Sequence, residues 1–260
     1  MFISKQSFFA AIATILLSAV TLSAQDACGT DNLHRLALEQ NNGYREAQIE
    51  NEALTRRLIS RGELPRKASF GADGIYYVPV VVHIIHTGEA VGSSRNPTDA
   101  KVQAAIDHTN KIFAAGAGFS SSVPFPVKFV LARRSPDCQA TNGILRVDGS
   151  VVPGYAEKGV SSTGGVGYAT DLSIKNLSRW PNTDYYNIWV VHSIQSYEGY
   201  AYYPGAGASI DGTVIRVSSI NSLNTVLAHE LGHGFNLKHT FEGDNDGSAC
   251  PDTSRDCATW

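Results

Sequence analysis

The sequence predicts a mixed α/β (α+β) domain, and three observations predict it. A nearly continuous β-branched run spans Tyr76 to His86, a helical period runs from Thr98 to Phe113, and later short apolar runs are separated by glycine-rich loops. With 43% hydrophobic and 17% charged residues, the 260-residue chain has ample apolar material for a core and is not a disordered chain. Lys and Arg number 21 against 24 Asp and Glu, so no basic surplus exists to neutralise phosphates, and nucleic acid is excluded as the expected partner.

The elements follow in order. Residues 1–24 carry Lys5, an apolar stretch from Phe8 to Leu17 and small residues up to Ala24, the pattern of a signal peptide. That apolar stretch is shorter than the roughly 20 residues a spanning helix requires. The mature protein is therefore expected to be secreted, with no membrane segment, in a compartment that permits disulfides. Residues 30–61 are charged and helix-compatible, with Thr30 and Asp31 as candidate caps, and they end in the linker Arg61-Gly62-Glu63-Leu64-Pro65-Arg66-Lys67. Two readings stand for this stretch: a removable pro-segment over residues 25–67, or the first helix of the domain.

From Ile75 the texture changes. Tyr76 to His86 reads as a strand buried on both faces, and Thr98 caps a helix through Val102, Ile106, Ile112 and Phe113. Val127–Ala132, Tyr186–His192 and Thr213–Val217 read as further strands. Ser162-Thr163-Gly164-Gly165-Val166-Gly167 is a plain loop, because no strong strand precedes it and no clear helix opens from it.

The chemistry concentrates in His229-Glu230-Leu231-Gly232-His233-Gly234-Phe235-Asn236-Leu237-Lys238-His239. Helix positions four apart share a face, so His229 and His233 can offer two imidazoles to one metal ion while Glu230 reaches the metal's water. Catalytic zinc takes three protein ligands. His239 supplies the third if the chain turns sharply after His233, and Asn236 sits where that turn falls, with a residue type that tolerates left-handed geometry. A shuffled chain of this composition seldom carries that spacing. His34, His83, His86, His108 and His192 lie in apparently regular elements and read as packed or exposed side chains.

This stretch matches the extended zinc signature H-E-x-x-H-x-x-G-x-x-H at all but one position, with Asn236 in place of the glycine. With Thr240-Phe241 after it, the chain resembles the pappalysin/cytophagalysin-like family of metzincin zinc metallopeptidases. Val78-Pro79-Val80-Val81-Val82-His83, Tyr186-Asn187-Ile188-Trp189-Val190-Val191 and Gly199-Tyr200-Ala201-Tyr202-Tyr203-Pro204-Gly205 look similar to the family in the same order. The resemblance implies a metzincin-like twisted mixed sheet over residues 68–260 and a secreted endopeptidase acting on protein or peptide substrates. His229, His233 and His239 would bind Zn2+, and Glu230 would be the general base. It further implies that an extended peptide lies antiparallel along a strand edge, with Gly199 to Pro204 as the candidate for part of that rim, although its tyrosines read equally as half-buried strand residues, and it admits Cys28 as a zymogen switch. A disulfide from Cys28 to Cys138 is the competing reading, and Cys250 with Cys257 is a candidate loop staple. Glu242, Asp244, Asn245 and Asp246 form an oxygen-rich cluster for which the resemblance admits Ca2+, against a simple Asx-rich turn.

The sequence also departs from the family. No methionine follows Met1, where the family has a methionine-containing turn, and the sequence given stops at Trp260. The expectation is a C-terminal lobe cut short. Its alternative functional reading is a truncated, catalytically impaired zinc- or peptide-binding secreted domain. A peptidase with Glu242 as last ligand is weaker still, because Glu242 lies too near the motif and His239 is well spaced.

Overall fold

A computed structural model describes residues 28–62, 71–116, 118 and 123–239. The signal-peptide stretch, most of the Arg61–Lys67 linker, Thr240-Phe241, the oxygen-rich cluster, Cys250, Cys257 and the region of the C-terminal lobe lie outside the described residues. Among the described residues no helix is long and apolar enough to cross a membrane.

Two helices open the described chain, α1 (Thr30–Gln40) and α2 (Asn42–Arg61). They are separate because Asn41 leaves helical geometry at φ −133° and its side chain accepts a hydrogen bond from Tyr44 N, capping α2. Gly29, not Thr30, is the N-cap of α1, and no side chain caps it. The Thr30 cap expected from the sequence is thus corrected: its hydroxyl is engaged elsewhere.

The sheet follows the order β2–β1–β6–β8–β7, with β3 pairing β1 beyond the end of β2. Strand β1 (Tyr76–His86) lies between β2 (Val127–Leu131) and β3 (Ile144–Asp148) on one side and β6 (Tyr186–Val191) on the other. Strand β8 (Thr213–Arg216) continues the parallel set, and among the described strands only β7 (Gly199–Ala201) runs antiparallel, on the edge. Parallel strands require both faces covered. Val80, Val82 and Ile84 of β1 face a core shared with α3 (Asp99–Phe113) and α6 (Val226–Gly234), through Val102, Ile106, Leu227 and Leu231. Ile85, Trp189 and Val191 face a second core that takes in Tyr155 of α4 (Tyr155–Lys158), Ile174 of α5 (Asp171–Lys175), and Leu33 and Tyr44 of α1 and α2. The short strands β4 (Val160–Ser161) and β5 (Ala169–Thr170) flank the glycine-rich loop.

Helix α6 ends by a defined local mechanism. Leu237 N donates to Gly232 O at 3.0 Å and Asn236 N to His233 O at 2.8 Å, while Asn236 adopts φ +66°. This is the paired-bond, left-handed helix stop. It turns the chain back so that His239 faces the helix it has just left. At Gly234 a Cβ would meet Tyr186 Oη at 2.0 Å, so the helix end fits against β6 only without a side chain.

Two outcomes are expected. Ile84→Ala, at a fully buried position, lowers stability by about 2–5 kcal/mol in a denaturant titration. Asn236→Gly melts at or above the parent temperature, whereas Asn236→Val, forced to positive φ, loses about 1–2 kcal/mol.

Candidate functional site

The imidazoles of α6 and the turn after it converge. His229 Nε2 lies 3.1 Å from His233 Nε2 and 3.0 Å from His239 Nε2. The outer nitrogens decide what those inner ones carry. His233 Nδ1 lies 2.7 Å from Leu237 O, and a carbonyl only accepts, so the proton is on Nδ1. His239 Nδ1 lies 2.8 Å from both carboxylate oxygens of Asp31, which likewise accept. With Nδ1 as the proton-bearing nitrogen, the Nε2 atoms of His233 and His239 are left to present lone pairs toward one point, as does His229 Nε2 when it binds there. Lone pairs at 3 Å repel unless a cation or protons lie between them. Burial disfavours the protonated rings, pushing His233 down to about 4 and lowering His229 as well. The donor set thus fits a divalent metal ion of the kind that imidazoles bind.

Cys28 completes the group from a distance of about two hundred residues. Its ligand atom and those of His229, His233 and His239 all lie within 4.8 Å of one another. Cys28 Sγ lies 3.4 Å from His233 Nε2 and 3.6 Å from Glu230 Oε2. Burial, with the Glu230 carboxylate beside it, pushes this thiol well above its usual range, an effect that a cation among the imidazoles reverses. The disulfide reading is corrected: Cys28 is free and buried, and Cys138 is free and exposed. Packing of α1 against the sheet carries Cys28 to the histidines.

Glu230 is fully buried. Its Oε2 accepts from Thr30 Oγ1 at 3.2 Å, and burial pushes its carboxyl up to about 8. Space for it depends on Gly199, where a Cβ would meet Glu230 Cγ at 2.9 Å. Burial raises the Asp31 carboxyl, but the hydrogen bond from His239 and the histidines around it hold it below the usual range.

The segment from Cys28 to Thr30 lies on the outer edge of β7. Gly29 N donates to Gly199 O at 2.9 Å, Ala201 N donates to Thr30 Oγ1 at 3.0 Å, and Cys28 pairs with Gly199 in the parallel sense. Of the stretch proposed from the sequence as a rim, Gly199 to Ala201 forms this edge, while Tyr200 and Tyr203 are fully buried and Tyr202 nearly so. Sequence reasoning missed Thr30 and Asp31 as site residues, since Thr-Asp at a helix start has the look of a cap. None of His34, His83, His86, His108 and His192 belongs to a cluster of potential ligands among the described residues. His83, for example, stacks on Trp189 and donates to Asn187 Oδ1 at 3.0 Å.

Comparison with known proteins agrees with this geometry. Residues 169–259 match the family model of peptidase M43, described as pregnancy-associated plasma protein-A. No curated protein sequence matches the chain. Among solved structures, mature mirolysin of Tannerella forsythia in complex with a cleaved peptide is 25% identical, with a TM-score of 0.51 over 68% of each chain. A point variant of promirolysin from the same organism is 22% identical, with a TM-score of 0.58 over 83% of this chain and 70% of that one. Mirolysin in complex with a small compound is 24% identical, with a TM-score of 0.53 over 70% and 71%. The zinc-type motif, the sheet that carries it and these likenesses together support a metalloprotease, similar in motif and fold to the metzincin-type pappalysins.

Proposed function

We propose that the chain is a secreted zinc endopeptidase made as a zymogen, with residues 1–24 as signal peptide, residues 25–67 as pro-segment and residues 68–260 as catalytic domain. The observation that carries the reading is the convergence of three imidazole nitrogens with the Cys28 sulfur on one point. His229, His233 and His239 would hold Zn2+, and Cys28 would take the fourth position. When bound there, zinc supplies a Lewis acid for the scissile carbonyl and acidifies a water molecule.

The other roles belong to the chain. Glu230 takes the proton from the attacking water and delivers it to the leaving amine. Leu237 O and, in the precursor, Asp31 orient His233 and His239 through their Nδ1 protons. The edge of β7 offers Gly199 O and Ala201 N to an extended peptide substrate, by strand addition.

Three features support latency. The Cys28–Thr30 segment occupies that same edge, Thr30 Oγ1 engages the Glu230 carboxylate, and Cys28 lies over the ligand nitrogens. The share of this chain that aligns is 83% with promirolysin against 68% with mature mirolysin, which favours a pro-segment in the N-terminal residues. The cleaved peptide bound by mirolysin supports a peptide substrate. Export from the cytoplasm rests on the N-terminal pattern of Lys5, the apolar run and Ala24.

Glu230→Ala is expected to lower cleavage of a denatured protein by at least about 10²-fold while bound zinc, measured by elemental mass spectrometry, stays stoichiometric. Unchanged cleavage would overturn the mechanism, and zinc retained by a wild-type protein without any cleavage would favour a binding domain. Cys28→Ser is expected to yield an unprocessed precursor that already cleaves, whereas the wild-type precursor gains activity only after its N-terminal segment is removed. Sequencing the mature N-terminus locates that cut.

A further inference from the structure

Behind the edge strand lies a buried cation that the proposed chemistry does not use. Lys175, at the end of α5, is completely buried. Its Nζ donates to Ile210 O at 2.5 Å and lies 3.1 Å from Asp171 Oδ2, one helical turn earlier. The ammonium also faces three aromatic rings, with Nζ 4.6 Å from the ring centre of Tyr202, 5.1 Å from Trp189 and 5.8 Å from Tyr200. Asp171 in turn accepts from Tyr200 Oη at 2.7 Å. One ammonium therefore joins α5, the core strand β6, the edge strand β7, the residue after it and the loop at Ile210.

A buried ion pair of this kind is a weak source of stability, since an apolar side chain of similar volume fills the space without the desolvation cost. What it supplies is a fixed arrangement. Strand β7 has particular need of one: it is three residues long and pairs with a strand on one side only, its other edge meeting just the Cys28–Thr30 segment. Its docking groups, Gly199 O and Ala201 N, flank Tyr200, and Tyr200 is the side chain that Asp171 holds. On the opposite face of the same strand Gly199 lies against Glu230. A shift of β7 normal to the sheet would move the docking edge and the carboxylate's wall together.

We propose that Lys175, with Asp171, is a positioning residue for the substrate-docking strand: it sets the height and tilt of β7 from behind, and so governs how an extended chain, whether pro-segment or substrate, is gripped along the edge. The proposal rests on the peptidase reading above for its kinetic consequence but not for its structural one.

The test uses the full-length precursor carrying Lys175→Met, with Asp171→Asn as the second variant in case the first does not fold. Amide hydrogen exchange is read by NMR at Gly29 and Ala201, whose N–H groups bridge the edge, and at Val82 and Val190 on β1 and β6 in the sheet centre. Exchange at Gly29 and Ala201 is expected to accelerate at least about tenfold with the central amides unchanged. After processing, KM for an extended peptide should rise about tenfold with kcat within about threefold of the parent, as lost uniform binding requires. Unaltered exchange at Gly29 and Ala201, or acceleration across the whole sheet with kcat and melting temperature falling together, would overturn the proposal. Selective acceleration at the edge in a protein whose wild type cleaves nothing would uphold the positioning role and sink the peptidase reading instead.

Discussion

Three imidazole nitrogens converging on one point, those of His233 and His239 each about 3 Å from that of His229, are a repulsive arrangement without a cation or shared protons at its centre. Everything around the site serves to hold it. Helix α6 fixes two of the rings by its period, and the left-handed stop at Asn236 returns the third. Leu237 O and Asp31 then place the protons on the outer nitrogens, so that the inner ones stay available. Helix α6 can carry this load because Leu227 and Leu231 anchor its other face in the core under β1, and because Gly234 lets its end settle against Tyr186.

The N-terminal segment uses the same features as a proposed substrate would, in the opposite chain direction. Cys28 runs parallel to β7, whereas the family resemblance implies an antiparallel peptide. A parallel chain meets the edge with its backbone groups differently spaced, and here only Gly29 N and the Thr30 hydroxyl complete bonds to it. Further along, the amides of Gln48 and Asn51 on α2 both reach Pro204 O, at 2.7 and 3.0 Å. The N-terminal segment is thus held at both ends of the rim by hydrogen bonds and by the packing of Leu33 and Tyr44, while no covalent link ties Cys28 to another described cysteine.

Much of this was legible residue by residue. The β-branched run became β1 with its bounds as read, and Thr98 does cap α3, accepting from Lys101 N at 3.2 Å. The reading of Asn236 succeeded because a left-handed stop is a local event, decided by a residue's own backbone freedom. Thr30 failed as a cap for an instructive reason. Its hydroxyl had two outlets, the α1 terminus or Glu230 with Ala201 N, and the second pair are buried groups whose desolvation would otherwise go uncompensated. The tyrosines of the Gly199–Pro204 stretch were ambiguous for a similar reason, since a tyrosine suits a wet rim and a polar-lined core equally well. Their burial follows from Asp171 and Lys175, which no spacing rule connects to them.

The sequence by itself determined the ligand spacing, the helix that presents two of the imidazoles, the turn that returns the third and the continuous apolar run of the central strand, because each depends on neighbours within a few residues. Tertiary structure decided what meets those ligands. Cys28, Thr30 and Asp31 reach Glu230, His233 and His239 across separations of 200 to 208 residues. Such contacts are set by where α1 and α2 pack and by which edge of the sheet is left open. Those depend on burying two apolar faces of one sheet together, a condition on the whole chain that no local period encodes.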